Sequence, residues 1–484
     1  MLALCQVVER ILPTTTRSPV DSQISSRVHF PIQTMETPKI PAPRDEGEKR
    51  ILAELMSIRD QLQLRKLDRT TYVRTQDVMV LYEKTIEQVR QLNVVRTGKK
   101  SEENQVDRVV DSCFQLLSLF FMTIGRNNEA PAAYSLTSTI KRLLDHLDEA
   151  NLFSAKDLAS IEHTLERLST IVNNTKTKEP APFLEALLAS RIDRCRETLD
   201  TLKQRLKEYD EAIIPAHERM VSILRQMAAI NTKPRFKPED INKLRAQLKD
   251  IRSQTVDGQF LNAEGKPLAG NGPVVALLER CQKYSDVVLD MGGKFPEKWK
   301  SVYDTLTGIR NELDKLSLTQ AWSLRETDLY DYQRQLDKID ENRVDGNWVD
   351  AKGEPADLYV QRTLLYLIRR SYGYIYHLMI SSEPVSEALL PIYNQLQTLK
   401  RCLIEVQNNG GVSTVRELYP YSMKLNSIDN LRVDGKFMVS GDIPEGQGSV
   451  SELLSQCYDL NYELRVAAEE LAENEKSEAK DDNE

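Results

Sequence analysis

The chain has 484 residues, 40% hydrophobic and 29% charged side chains, and a formal net charge of −8, the profile of a folded, soluble protein too long for one hydrophobic core. Eight acids and two lysines fall between 467 and 484, so that stretch holds −6 of the charge and the near-neutral body offers nucleic acid no overall field. Six scattered cysteines with no C-x-x-C pair exclude metal knuckles and a disulfide framework and fit a reducing compartment, and no apolar run reaches the roughly 18 residues of a membrane span.

Residues 1–46 are rich in Pro, Ser and Thr and lack periodicity, so disorder is expected there. Glu9 and Arg10 interrupt the apolar start, which is not a signal peptide. From Lys49 three helical elements recur in order. The first carries apolar residues at spacing 0, 3, 7: Leu55-Ile58-Leu62, Ile140-Leu143-Leu147, Met220-Ile223-Met227, Leu306-Ile309-Leu313 and Leu396-Leu399-Leu403. That is one stripe of an amphipathic helix. Pro215 and Pro391 precede two of the stripes at the same offset, where proline suits a first helical turn or a kink.

The second element begins with an acid and an apolar residue, with further apolar residues at +3, +7 and +10. Its copies start at Asp157-Leu158, Asp240-Ile241, Asp328-Leu329 and Glu417-Leu418. An acid there suits the positive end of a helix. Asp77-Val78-Leu81 begins a weaker copy that slips onto Ile86 and Val89. The third element carries a Leu-Leu pair: Leu116-Leu117, Leu187-Leu188, Leu277-Leu278, Leu364-Leu365 and Leu453-Leu454. Five units of three helices are therefore expected, packed as tandem bundles or a solenoid-like array. The expected layout is a disordered stretch over 1–46, helical regions over 47–175 and 183–472, and an acidic disordered tail over 473–484. The Lys/Thr/Pro-rich stretch 173–182 marks the break between the helical regions.

Between the second and third helices of the last three units stands a Val-Asp-Gly-x-aromatic segment, at Val256–Phe260, Val344–Trp348 and Val433–Phe437. A proline follows each aspartate by ten residues. Asp-Gly supplies the positive φ angles of a type I′ turn, so a small β-hairpin pinned by its aromatic is expected. Calcium ligation is excluded by spacing, since the loops lack alternate oxygen ligands and a distal Glu. If these loops share an edge, Asp257, Phe260, Asp345, Trp348, Asp434 and Phe437 mark a partner-contact face.

The chemistry the chain excludes is equally definite. No histidine pair, His-Glu-x-x-His, Gly-x-Ser-x-Gly elbow or P-loop occurs, so no catalytic residue, metal or cofactor is assigned. Arg369, Arg370 and Tyr374 on the Tyr-rich helix are candidates for an anion or peptide groove between units, the enzyme or small-molecule alternative to a scaffold. Short basic loops at 96–100, 176–178 and 233–237 could meet phosphates, an acidic partner or an acidic membrane, but are too weakly charged to support nucleic-acid binding.

The Val-Asp-Gly loops, the Leu-Tyr-x-Tyr segments at Leu329–Tyr332 and Leu418–Tyr421 and the acidic-tailed helical body resemble, over residues 47–470, a fungal family of uncharacterised proteins built on a domain of unknown function. The resemblance implies an all-helical protein of cytoplasm and nucleus with no assigned catalytic residues. The repeat, together with the absence of a recognisable catalytic constellation, leads to the expectation of a non-enzymatic scaffold or adaptor for protein partners.

Overall fold

Each of the three recurring elements is a helix, and their order is kept five times. The computed structural model describes residues 40–97, 103–175 and 182–481. Unit 1 comprises α1 (Glu46–Leu67), α2 (Thr75–Arg96) and α3 (Gln105–Thr123). Unit 2 comprises α4 (Ala133–Ala150), α5 (Ala155–Thr175) and α6 (Pro182–Lys207). Unit 3 comprises α7 (Ile214–Asn231), α8 (Pro238–Ser253) and α9 (Asn271–Met291). Unit 4 has α10 (Lys300–Ser323), α11 (Leu329–Glu341) and α12 (Leu358–Ile380), and unit 5 has α13 (Leu390–Asn408), α14 (Tyr419–Asp429) and α15 (Gln447–Asp481). Pro215 and Pro391 occupy the first turns of α7 and α13, as their offset predicts.

In unit 1 local electrostatics set the helix directions. Glu48, in the first turn of α1, and Asp107, in the first turn of α3, both grip Arg96 at the last residue of α2, at 2.8 and 2.6 Å. Carboxylates at helix N-termini and a guanidinium at a C-terminus each oppose the local macrodipole charge. The first and third helices therefore run parallel, with the second antiparallel to both. Arg96, expected in an exposed basic loop, is buried in this clamp; residues 98–102 and 176–181 lie outside the described residues.

Four units share a further contact across the first and third helices. The thiols of Cys113, Cys195, Cys281 and Cys457 lie 3.5–3.9 Å from the carbonyls of Leu55, Thr137, Met220 and Leu396. All four are buried, and burial pushes the first three up to about 12 and Cys457 to about 11. They pack as small apolar side chains. The slip in α2 is as expected, with Val89 buried and Ile86 packed against the core, while Thr85 at the +7 position is buried as well and its hydroxyl donates to the Leu81 carbonyl at 2.8 Å.

The units meet out of chain order. Helix α12 packs on α4 and α7, and α3 packs on α11, so unit 4 closes onto units 1, 2 and 3. Helix α3 is buried on nearly every side, its polar Asp107, Asp111, Ser112 and Gln115 included. One continuous core runs from Ile51 to Met379, and unit 5 builds a second from Val385 to Ala468. No helix among the described residues is long and apolar enough to cross a membrane. The acidic stretch after 472 continues α15 as far as Asp481.

Candidate functional site

The three Val-Asp-Gly segments form the same turn. Asp257, Asp345 and Asp434 adopt φ of 49–50°, and the following glycines 76–77°, the two left-handed residues a type I′ turn requires. Val256 pairs with Gln259 and Val344 with Asn347. In unit 5 the pairing extends to two short strands, β1 (Arg432–Val433) and β2 (Lys436–Phe437). A second turn follows in the first two loops, where Asn262 and Asp350 each accept two backbone N–H groups of the Gly-containing bend.

The aromatic of each loop points inward. Phe260, Trp348 and Phe437 are 6%, 4% and 1% exposed, so the solvent-facing members of the motif are the aspartates and the valines before them. A side-chain amide at the head of the third helix holds each aromatic's backbone. Gln361 accepts from the Trp348 N–H at 2.9 Å and donates to its carbonyl at 2.8 Å. Gln447 does the same for Phe437 at the same distances, and Asn271 accepts from the Phe260 N–H at 2.8 Å. Arg343 and Arg432 close two of the loops, donating to the carbonyls of Gly346 and Gly435 and standing 5.0 and 6.0 Å over the rings of Trp348 and Phe437. Sequence reasoning missed this amide latch because its distance from the aromatic varies between copies.

Each loop also touches the segment that enters its own unit. Asp210 donates to the Ala269 carbonyl, Lys298 pairs with Asp350 at 2.6 Å, and Ser386 donates to the Glu445 carbonyl. Two loops reach further. Arg343 pairs with Glu149 of unit 2, and the Tyr72 hydroxyl of unit 1 donates to the Val439 carbonyl. The loops thus connect units as well as decorate them.

Arg370 and Tyr374 meet each other, but Arg369 does not join them. Arg370 stacks on Tyr374, whose hydroxyl bonds Asp314 of α10. Arg369 instead donates to the Leu152 carbonyl beyond α4 at 3.3 Å. The polar side chains that do converge are elsewhere, in a cleft of about 40 Å³ between units 1, 2 and 4. There Arg142 faces Asp337, Asp340 and Glu341, Arg108 bonds Glu341 at 2.9 Å, and Arg191 meets Asp111 at 3.3 Å.

His146 Nε2 lies 3.0 Å from Asp340, which Arg343 also grips at 2.7 Å. Burial alone would raise Asp340, but His146, Arg142 and Arg343 hold its carboxyl well below the usual range. Burial pushes neighbouring Asp337 up against the opposing pull of Arg142 and Arg334. The opposite charges neutralise one another, so the cleft works as an ionic rivet between units. Removing one partner of such a buried pair costs about 3–5 kcal/mol.

Comparison with known proteins matches the sequence of this chain to a family. A family model described as a protein of unknown function, DUF2408, matches residues 206–326 and 383–482, stretches that contain the whole of units 3 and 5. No solved structure matches. A CUB1 family protein of Schizosaccharomyces pombe is 38% identical over 457 residues, covering 92% of this chain and 99% of its own length. A Saccharomyces cerevisiae protein named "Cu(2+) suppressing and bleomycin sensitive protein 1" is 36% identical over 516 residues, covering 89% of this chain and 92% of its own. The chain belongs to the fungal CUB1 family, built on a helical domain of unknown function.

Proposed function

We propose that this chain is a non-enzymatic helical adaptor that binds a protein partner through its fifth unit. The observation that supports this reading is the concentration of apolar surface there. Nine of the nineteen large apolar side chains exposed among the described residues lie between Val415 and Leu471. Val415, Tyr419 and Met423 recur every four residues along one side of α14 and the 3-10 turn before it, with Tyr419 64% and Met423 51% exposed. The third hairpin adds Val433, Met438 and Ile443 to the exposed set. Aromatic and Met side chains in a rigid setting are favoured at binding surfaces, and an apolar stripe at helical spacing suits a partner helix or groove.

In this reading Asp434 contributes at the tip of the hairpin, and Phe437 acts by holding that hairpin still. Asp257 and Asp345, with Phe260 and Trp348, play the same parts in units 3 and 4. Action in cytoplasm and nucleus belongs to the same proposal. The test is quantitative affinity purification of tagged full-length protein beside the double variant Tyr419→Asp, Met423→Asp. The expected result is a set of proteins recovered by the wild type and lost by the variant, with helicity by circular dichroism unchanged. No protein above the untagged control, or the same set from both baits, overturns the reading.

A further inference from the structure

Buried arginines elsewhere in the molecule meet acids: Arg96, Arg191, Arg325 and Arg343 each have a carboxylate within 3.3 Å. The C-terminal end of α4 departs from that pattern. The Ala150 carbonyl accepts from Arg280 at 3.1 Å and from Arg362 at 3.3 Å, and Arg280 also donates to the Asn151 carbonyl at 3.1 Å. The Leu152 carbonyl accepts from Arg369 at 3.3 Å and from Arg225 at 3.2 Å. Arg225 has Asp157 as a partner at 2.6 Å. Arg280, Arg362 and Arg369 pair with no carboxylate among the described residues, and the buried Nε of Arg280 has no hydrogen-bond partner among them.

Four guanidiniums therefore surround one carboxylate and three carbonyls. The partial negative charge of a helix end, about half an elementary charge, offsets little of that excess. Burial, with Arg362 adding to it, pushes Arg280 down to about 10; burial and Arg225 push Arg369 down to about 10. The carbonyls hold the forks in place, and the half-buried side chains keep most of their five donors for another acceptor. A carboxylate would bring two oxygens and one charge. A phosphoryl group brings three acceptor oxygens and up to two charges, and it matches the guanidinium fork.

We propose that Arg280, Arg362 and Arg369, gathered at the C-terminal end of α4, bind the phosphoryl group of a small phosphorylated ligand. The site goes beyond the adaptor reading and stands apart from the fifth unit. Its arginines come from α9 and α12 around an end of α4, so occupancy also ties units 2, 3 and 4 together.

Isothermal titration calorimetry on the full chain, with inorganic phosphate and pyrophosphate as probes and sodium chloride at equal ionic strength as baseline, tests this. A saturable heat with one site per chain is expected; the two probes distinguish a single phosphoryl group from a linked pair. Arg280→Gln and Arg362→Gln are expected to weaken binding by about tenfold or more, the loss of one charge-assisted fork, and Arg370→Gln to leave it unchanged. Phenylglyoxal footprinting of the wild type needs no variant to fold, and the bound probe is expected to protect Arg280, Arg362 and Arg369 from modification. Absence of saturable heat up to about 5 mM probe, weaker than the millimolar end of specific affinity, overturns the proposal. So does binding that survives both substitutions, or footprinting without protection at these three residues.

Discussion

At the scale of single residues, three loops solve one problem with slightly different side chains. Phe260 and Phe437 fill their places with a plain ring, whereas Trp348 brings an indole N–H that is buried without a hydrogen-bond partner among the described residues. A buried, unsatisfied donor opposes folding, so the gain at Trp348 comes from packing and from Arg343 over its ring. Trp348→Ala is expected to cost about 3–5 kcal/mol, the usual range for emptying a buried aromatic site. Trp348→Phe should cost under about 1.5 kcal/mol, as a shape-tolerant swap that also removes the orphan donor. Urea unfolding followed by circular dichroism measures both, and equal losses would show that a phenyl ring cannot take the place of the indole at this site.

At the scale of elements, the helices were legible because their apolar stripes repeat, and the hairpins because Asp-Gly permits few conformations. Asp257, Asp345 and Asp434 adopt the left-handed angles their sequence context demands. What was not legible were the polar partners, since those depend on which units touch. His146 and Asp340 are 194 residues apart, and no local pattern announces such a pair. Arg96 illustrates the same point within one unit, since its place in a basic stretch suggested a solvated loop while the fold places it between two helix N-termini. Arg96→Ala leaves Glu48 and Asp107 buried together and is expected to cost about 3–5 kcal/mol at neutral pH.

The pH dependence has a definite sign. Burial works to raise Glu48, but its hydrogen bonds from Arg96 and Asn104 outweigh that and leave it below its ordinary value of 4.5. Its contribution is therefore fully present above the unfolded carboxylate value and is lost as pH falls through the lower folded one. The difference in stability between wild type and Arg96→Ala should be largest at neutral pH and shrink on acidification, first as the stranded carboxylates of the variant take up protons and then as wild-type Glu48 does. Denaturant titrations at a series of pH values check this, and a gap that grows on acidification contradicts the clamp.

At the scale of the whole molecule, the repeat explains the parts but not the assembly, because units 1 to 4 share one core and unit 5 keeps its own. Their junction runs through residues 384–387. The backbone at Val385 and Ser386 passes so close to Gly125 and Gly446 that a Cβ on either would fall within 2.6–2.8 Å of it, and both glycines have positive φ. Glu387 then bonds Arg325 through both carboxylate oxygens, at 2.6 and 3.0 Å, and accepts the Val73 N–H, while its own N–H donates to the Thr123 carbonyl. Arg325 in turn donates to the Asp68 carbonyl at 2.7 Å, so one ion pair joins units 1, 4 and 5. Glu387→Ala strands a buried guanidinium, at a cost of about 3–5 kcal/mol, and the loss falls on the junction rather than on either core. Unit 5 should then come away first: calorimetry is expected to resolve two transitions, with faster proteolytic cutting near 382–389 at temperatures where α1–α12 stay folded. Gly125→Ala should act in the same direction, since the added methyl group meets backbone that has no room to move aside. A single cooperative transition in both variants, merely shifted to lower temperature and without cutting at the junction, would mean that the two cores fold as one body.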